Sequence, residues 1–350
     1  MNNRSLARLI DWFSLPLLLA LTVSGAAQTY TVTDLGPASN NSSGARGINA
    51  AGQITGYANS SSTKSGVFLY TGGKMKSLGT LGGTTGIGFA INALGQVAGY
   101  STLSDGTYRG FISAGGKLKS VGTLASTYSD AEGINDVGQV TGASSSADGE
   151  THPYLYSNGK LTDLGTLGSH ATWAWNTGEA VNNSGEVVGW SYNAQGNFLG
   201  FLWSNGQMQS LGTLGGDWSQ AFAINDLGQI TGQAYIGGNI GADAFLYDGG
   251  VMQDLGTITS PSGGNGQYSD GLGINSTGVV VGESTYQKSA ASIVYHAFVY
   301  SNGKMQDLNK LIPAGSGWVL STAYSINDAG QVVGYGTHNK RQRAFLLTPQ

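Results

Sequence analysis

Short runs in which apolar or small residues alternate with polar ones cover the chain from residue 29 to its end. The segment Gln-Val-Ala-Gly-Tyr at 96–100 is one example, and a period of two is typical of β-strands. Pairs of runs are joined by Asn-Gly or Gly-Gly, such as Asn205-Gly206, which suit tight hairpin turns. No repeat contains a segment with a helical pattern. The pattern therefore predicts an all-β protein built from short antiparallel strands.

The runs belong to a repeat, (Ile/Val)-Asn-x-x-Gly-x-(Val/Ile)-x-Gly, that occurs seven times at intervals of 43 to 52 residues. Its asparagines are Asn49, Asn92, Asn135, Asn182, Asn225, Asn275 and Asn327. An asparagine opens a tight turn by bonding to its own backbone, and a glycine three residues later accepts the positive φ that closes it. A second hairpin follows in each repeat. A repeat of this length with four strands corresponds to one blade of a β-propeller.

The two ends of the chain predict how the blades close into a ring. Residues 29–36 resemble the fourth strand of a repeat, whereas the last repeat stops after a third strand at 343–347. Pairing the N-terminal strand as the outermost strand of the last blade removes two exposed sheet edges. A β-solenoid is the alternative fold, but it needs end caps and none is visible. The sequence therefore predicts a single seven-bladed β-propeller.

Small residues occur four and two positions before each repeat asparagine, as at Ala45 and Gly47. Such residues suit strands that crowd together near an axis, so we expect the Ile-Asn strand to be innermost. The loop that leads into this strand varies most in length. Variable loops on a constant scaffold are where function usually lies, and we expect these loops to share one face near the central channel.

Large aromatic rings and carboxylates are concentrated in that loop class. Aromatic faces beside carboxylates and amides form the kind of surface that binds sugars. The alternative is that the rings pack over the blades as structural plugs. The candidate ligand-binding residues are Tyr128, Asp130, Trp173, Trp175, Trp218, Tyr268, Asp270 and Trp318.

Two glutamates form a second candidate site. Glu132 and Glu179 stand three residues before the asparagine in neighbouring repeats, where the first repeat has Arg46. Facing sheets lie roughly 10 Å apart and closer near an axis, so the pair could reach the carboxylate spacing of an inverting glycosidase. Solvated carboxylates at a channel mouth are the simpler interpretation. The four histidines show no metal-ligand spacing, and we predict no metal and no cofactor.

Residues 1–27 have the pattern of a cleaved secretory signal peptide. Arg4 and Arg8 precede an apolar segment at 13–23, and small residues follow at 24–27. We therefore expect a propeller domain at 28–350 in a secreted or periplasmic protein, without a membrane span. There is no cysteine, so neither a lipid anchor nor a disulfide is available. A formal net charge of −4 offers no basic footprint for nucleic acid, and we expect a monomer.

The repeat resembles that of the bacterial probable extracellular repeat proteins of the HAF family. The resemblance covers residues 29–348 and rests on Ala-Ile-Asn-x-x-Gly-Gln-Val-x-Gly followed by Ala-Phe-Leu-Tyr and Asn-Gly-Lys-Met-x-Asp-Leu-Gly. The triplet His-Ala-Phe stands intact at 296–298. The resemblance implies an extracellular location and a propeller-like fold, and it carries over no catalytic residues. Some relatives end in a sorting segment that is not visible here, so we expect release or periplasmic residence rather than surface anchoring.

Together these features predict a non-enzymatic binding module that recognises a glycan or a protein through aromatic loops on one propeller face. The first alternative is an extracellular polysaccharide hydrolase or lyase that uses Glu132 and Glu179. The second is a structural scaffold of the cell envelope, with a stable partner and no small ligand.

Overall fold

The computed structural model describes residues 28–36, 41–61, 64–125, 127–168, 174–258, 268–289 and 292–350. Over these ranges the chain forms seven sheets of four strands each, and every sheet is one blade. Six blades come from consecutive stretches of the chain, whereas the seventh combines both ends. The predicted signal peptide at 1–27 and the candidate residue Trp173 lie outside the described residues.

The strands are numbered in chain order and run from the centre of the ring outwards within each blade. Blades one to three contain β2 (Ser43–Ile48), β3 (Ile54–Ser61), β4 (Lys64–Thr71), β5 (Lys74–Gly79), β6 (Gly86–Ile91), β7 (Val97–Thr102), β8 (Tyr108–Ala114), β9 (Lys117–Ser120), β10 (Gly133–Ile134), β11 (Val140–Ser145), β12 (Thr151–Ser157) and β13 (Lys160–Asp163). Blades four to six contain β14 (Thr177–Val181), β15 (Val187–Tyr192), β16 (Phe198–Ser204), β17 (Gln207–Ser210), β18 (Gly215–Ile224), β19 (Ile230–Ile236), β20 (Ala242–Asp248), β21 (Val251–Asp254), β22 (Ser269–Ile274), β23 (Val280–Ser289), β24 (Ser292–Ser301) and β25 (Lys304–Asp307). Blade seven contains β26 (Trp318–Ile326), β27 (Val332–His338), β28 (Arg341–Pro349) and β1 (Tyr30–Asp34).

Short 3₁₀ turns at Gly237–Asn239 and Leu308–Lys310 complete the regular structure of the described residues. In that part of the chain, no helix has the length and hydropathy needed to span a membrane.

The first strand of each blade lies at the centre of the ring. β2 contacts the first strands of both neighbouring blades, β6 and β26, and the same relation continues around the ring. Small residues permit this close approach, because a Cβ added at Gly47 would lie 2.9 Å from the carbonyl oxygen of Phe89 in the next blade. The prediction that the Ile-Asn strand is innermost is confirmed.

The N-terminal strand closes the ring as predicted. β1 pairs antiparallel with β28, from Tyr30 opposite Pro349 to Asp34 opposite Phe345, and forms the outer edge of blade seven. Tyr30 is 4% exposed, and Leu35, just beyond the strand, is 2% exposed. The closing strand therefore contributes side chains to the core as well as backbone hydrogen bonds.

The hydrophobic core lies between neighbouring blades. One aromatic side chain per repeat, at the position of the Phe in the His-Ala-Phe triplet, is fully buried: Phe68, Phe111, Tyr154, Phe201, Phe245, Phe298 and Phe345. Val140 and Tyr154 of blade three, for example, pack with Ile112 of blade two. Each blade therefore depends on its neighbours for burial, and a gap in the ring would expose two apolar blade faces.

A ring of hydrogen bonds between the repeat asparagines joins all seven blades. Each side-chain amide donates to the backbone carbonyl of the asparagine in the next repeat, as from Asn92 to Asn135 at 3.0 Å. The bond from Asn327 to Asn49, also 3.0 Å, completes the circle. In every turn Oδ1 accepts the backbone N–H four residues later, so the predicted turn is confirmed. The bonds between blades were not predicted.

Candidate functional site

The channel of the propeller opens on two faces. The asparagine turns follow the first strands at one end, and we call this surface the Asn face. The loops that enter the first strands lie at the opposite end, together with the turns between second and third strands, and we call that surface the loop face. Tyr128, Trp175, Trp218 and Tyr268 all lie at the entry of a first strand, so the predicted residue class shares the loop face.

A β-bulge directs one residue of each first strand toward the channel. The register with the second strand skips Arg46, Phe89, Glu179, Phe222, Leu272 and Tyr324, and Glu132 holds the same position just before β10. A bulge typically re-aims a side chain in this way. The guanidinium of Arg46 lies 3.9 Å from the ring centre of Tyr324 and 5.7 Å from that of Phe89, which occupy this position in the two neighbouring blades. We call these seven residues the channel ring.

Three carboxyl groups of blades three and four lie close together: Glu132 and Glu179 of the channel ring and the neighbouring Asp130. Burial, with a further contribution from the nearby Asp130, raises the pKa of Glu179 to about 8, and the indole of Trp190 and the charge of Arg46 limit the rise. Burial also raises the pKa of Glu132 well above its usual value, with added repulsion from Asp130 and Glu179. The two glutamates were predicted from their repeat positions, and the structure brings them within electrostatic reach of each other.

Asp130 is the most enclosed member of this cluster. Its carboxylate accepts a hydrogen bond from the Tyr128 hydroxyl at 2.5 Å and one from the backbone N–H of Ala143 at 2.6 Å. Burial raises the pKa of Asp130 to about 6, and these two bonds limit the rise. Asp130 is thus held by its own blade, whereas Glu132 and Glu179 remain partly exposed to the channel.

A second carboxyl pair lies on the opposite side of the channel, in blade six. Asp270 and Glu283 are directly opposite each other in the register of β22 and β23. Burial raises the pKa of Asp270 to about 7, with a further contribution from Glu283. Burial likewise raises the pKa of Glu283, although the Thr322 hydroxyl donates to it. Asp270 was a sequence candidate and Glu283 was not.

Two runs of aromatic rings cross the loop face. The first passes from Phe89 in the channel ring through Tyr100, Tyr108 and Tyr128 to Trp175, with successive ring centres 4.9 to 6.4 Å apart. The second starts at Trp190 beside Glu179 and passes through Phe198 to Trp218, which also lies 4.0 Å from the ring centre of Tyr235. Both runs therefore extend from the channel carboxyls to the surface.

Two of the predicted aromatic residues lie outside these runs. Tyr268 is 36% exposed beside the blade-six carboxyl pair. Trp318 is only 9% exposed, because it begins β26 and stacks on His338 with ring centres 4.6 Å apart. It also packs edge-on against Phe345, so its rings serve the core of blade seven and present little surface to a ligand.

The repeat alignment contains a signal that would have identified the channel ring. In every repeat, the position three residues before the asparagine carries a large or charged side chain, and both neighbouring positions carry small ones. Strand alternation places this side chain on the other side of the strand from its small neighbours. Arg46, Phe89 and Tyr324 were not predicted as site residues, nor were Tyr100 and Trp190 on the adjacent strands.

Other features of the described residues do not point to a different site. No group of three or more His, Asp or Glu side chains among them is placed to hold a metal ion. A cavity of about 830 Å³ lies between blade one and the closing strand and is lined by Leu35, Val67 and Met75 among others. It contains none of the predicted site residues, and we favour the loop face because the titratable groups and exposed rings converge there.

The burial of Glu179 predicts an unusual pH dependence of stability. Its carboxyl pKa is raised on folding, so the folded protein holds a proton between about pH 4.5 and 8 that the unfolded chain releases, and the free energy of unfolding falls as the pH rises through that window. We expect Glu179→Gln to remove this penalty and to raise the melting temperature by several degrees at pH 8 but not at pH 4.5, which corresponds to about 2 kcal/mol.

Differential scanning calorimetry at the two pH values measures this effect. Glu186→Gln is the matched control, because it makes the same change in the same blade on the Asn face. An equal gain at pH 8 in the control, or no gain in Glu179→Gln, would contradict the assignment.

Comparisons with known proteins support the fold. A family model described as "Protein of unknown function (DUF3466)" matches residues 216–345, which cover most of blades five to seven. The β-propeller domain of the Trilobed protease from Pyrococcus furiosus, described as having an open velcro topology, aligns with a TM-score of 0.51 and 10% identity over 75% of this chain and 82% of that one. This structural similarity shows that the two chains share the propeller fold, and it says nothing about function.

Two further solved structures align less closely. TolB from Acinetobacter baumannii has a TM-score of 0.47 and 11% identity over 90% of this chain and 65% of that one. A gluconolactonase from Xanthomonas campestris has a TM-score of 0.42 and 12% identity over 92% and 90%. The search of curated proteins found no match. The HAF resemblance remains a prediction beside these findings.

Proposed function

We propose that this protein is an exported, non-enzymatic binding module that recognises a glycan at the mouth of the channel on the loop face. The proposal includes cleavage of residues 1–27 and a mature propeller domain at 28–350. It rests chiefly on one observation: exposed aromatic rings surround a group of carboxyl side chains that are partly open to the channel.

The exposure of the rings supports binding rather than a purely structural role. Tyr108 is 45% exposed and Trp175 is 41% exposed, and both belong to the first aromatic run. Tyr295, 48% exposed, lies close enough to the blade-six carboxyl pair for their charges to raise its pKa, after the effect of burial. Large apolar rings left in solvent on one face are typical of binding surfaces.

The chemistry of the channel mouth suits a saccharide. A sugar ring presents C–H groups to an aromatic face and hydroxyls to polar groups at its edge. A carboxyl group with a pKa of about 8, as at Glu179, holds a proton near neutral pH and can both donate and accept hydrogen bonds. This combination supports a glycan more directly than a flat protein surface.

The hydrolase alternative has less support. An inverting glycosidase needs one protonated carboxyl group and one ionised carboxylate that activates water. The pKa of Glu179 is raised to about 8, so this residue is not the ionised base near neutral pH, and burial raises the pKa of Glu132 as well. Asp130 is the remaining carboxyl group of this cluster that could act as the base. Its carboxylate already accepts hydrogen bonds from the Tyr128 hydroxyl and from a backbone N–H.

A glycan array with the labelled mature protein tests the proposal. We expect binding to one class of extracellular glycan, and we expect Trp175→Ala and Trp218→Ala each to weaken it by about tenfold because each removes an aromatic platform. Titration calorimetry with the best array ligand would measure the change.

Leu227→Ala is the matched control, because Leu227 is a large apolar residue, 73% exposed, on the Asn face. If both tryptophan variants bind the ligand as tightly as the unchanged protein, the aromatic rings play no part in binding and this part of the proposal is wrong. An array without any binding, together with a stable protein partner in cross-linking, would favour the scaffold alternative.

A further inference from the structure

We infer that the ligand of the channel mouth is an amino sugar with a free, positively charged amino group. This inference rests on the proposed function, since it specifies the chemical class of glycan that the loop face would bind.

The balance of charge around the channel is the first argument. Five carboxyl groups surround the channel mouth on the loop face, namely Asp130, Glu132, Glu179, Asp270 and Glu283. Among the described residues, Arg46 is the cation whose charge acts on this group, reaching Glu132, Glu179 and Glu283. One guanidinium cannot balance five carboxyl groups, so the cluster is ionised only in part, and an added cation would favour its further ionisation.

Unsatisfied polar groups are the second argument. The carboxyl group of Glu132 is partly exposed to the channel, and no side-chain hydrogen bond to it is found among the described residues. The Nε of Arg46 is buried and has no hydrogen-bond partner among the described residues. Buried polar atoms without partners are rare in folded proteins, and a polar group that binds beside the atom is one explanation for them. An ammonium group would donate to Glu132, and a sugar hydroxyl would accept from Arg46.

The aromatic rings beside these carboxyls are the third argument. Tyr100 lies between Phe89 and Tyr108, with ring centres 5.6 and 5.3 Å away, and the carboxyl groups of Glu132 and Asp130 contribute to its raised pKa, after burial and the neighbouring Tyr108. A cation near the face of an aromatic ring is attracted by the ring quadrupole. Carboxyls and ring faces at one site are therefore complementary to an ammonium group, whereas an acetylated nitrogen carries no charge to use them.

Binding of such a group must be coupled to protons. An ammonium group stabilises the ionised carboxylates and so lowers the raised pKa values of Glu132 and Glu179, which favours release of protons when the ligand enters. The other titratable side chains in electrostatic contact with these carboxyls or with Arg46 are Tyr57, Tyr100, Tyr128, Tyr154, Tyr295, Tyr324 and Tyr335. Burial is the first cause of a raised pKa for the first six of these phenols, so they remain protonated.

A matched pair of tetrasaccharides tests the inference by titration calorimetry at pH 6.5. The β-1,4-linked tetramer of glucosamine and its fully N-acetylated form share one backbone and differ in the charge on nitrogen. We expect the glucosamine tetramer to bind at least tenfold more tightly. We also expect protons to be released, seen as a dependence of the binding heat on the ionisation enthalpy of the buffer.

Variants of the mature protein locate the effect. Glu132→Gln and Glu179→Gln, which keep the side-chain shape, should each weaken binding of the glucosamine tetramer at least fivefold and reduce proton release. Asp226→Asn, which removes a carboxylate on the Asn face, should leave binding unchanged. Equal loss in that control would show general charge attraction and overturn the inference.

The outcomes separate this inference from the proposed function. Equal or tighter binding of the acetylated tetramer, still weakened by Trp175→Ala, would overturn the amino-sugar inference and leave glycan binding intact. If neither tetramer binds, the inference is overturned. The glycan array then decides the proposed function independently. Tetralysine serves as a further probe, and binding as tight as that of the glucosamine tetramer would overturn the assignment to a sugar.

Discussion

A chain that begins at Gly36 is expected to lose most of its stability, because it lacks the strand that closes the ring. Removing β1 exposes the backbone edge of β28 and removes the buried side chains of Tyr30 and Leu35. Leu35 packs with Ile48 and Phe68 of blade one, so its loss affects the junction of the first and last blades. Burial of these two side chains contributes about 5 kcal/mol, which is comparable to the net stability of many domains.

Urea unfolding and size-exclusion chromatography with light scattering measure this loss. We expect a much lower unfolding midpoint and self-association through the free edge of β28. A synthetic peptide of residues 28–36 should restore the midpoint when added in excess, whereas a scrambled peptide should not. A truncated chain that stays monomeric with an unchanged midpoint would show that the closing strand is dispensable.

Point variants separate the side-chain contribution from the backbone contribution. Tyr30→Ala with Leu35→Ala removes the buried groups, whereas Thr31→Ala with Thr33→Ala changes exposed residues of the same strand. The first double variant should lose about 5 kcal/mol of unfolding free energy and the second less than about 1 kcal/mol.

Asn135→Ala is expected to be strongly destabilising, because it removes one link in the ring of asparagine hydrogen bonds on the Asn face. The Asn135 amide donates to the carbonyl of Asn182 in the next blade at 2.9 Å and to Gln139 at 2.7 Å. Its Oδ1 also accepts the backbone N–H of Gln139 at 2.8 Å. Alanine leaves these buried partners unsatisfied, so we expect a loss of about 3 kcal/mol in the free energy of unfolding.

Asn193→Ala is a matched control for the turn itself. Asn193 accepts backbone N–H groups two and four residues later, at 3.0 Å each, and among the described residues its side chain makes no hydrogen bond to another blade. We expect this variant to lose about 1 kcal/mol in chemical unfolding. Similar losses in both variants would mean that the bonds between blades contribute nothing beyond the turn.

Much of the fold followed from the sequence because its information is local and periodic. The spacing of Asn49 and its six equivalents predicted seven blades, and the phase of residues 29–36 predicted the closure. The observed strand, Tyr30–Asp34, is shorter than that range because pairing with β28 ends at Phe345. The ring of amide bonds was not predicted, because it depends on how closely equivalent turns approach when the ring closes.

The candidate site was only partly predictable. Tyr128, Trp175 and Trp218 were found because they share a place in the repeat, and the structure adds that they belong to two aromatic runs from the channel. Trp318 has a related place, but the longer β26 takes it into the sheet, where it stacks on His338. Residue spacing cannot distinguish Trp318 from the other aromatic residues. Whether such a side chain packs in the sheet depends on where pairing with the second strand of the blade ends.

The sequence by itself determined the number of blades, their strand order and the face on which the variable loops lie, since each follows from a repeated local pattern. Only the tertiary structure decided which residues meet in the channel. A β-bulge in the first strands turns Arg46, Phe89 and Glu179 toward one axis, and burial at that axis raises the pKa of the glutamates. Residues 43 or more positions apart become neighbours there, because the ring brings the same position of every repeat to a common centre.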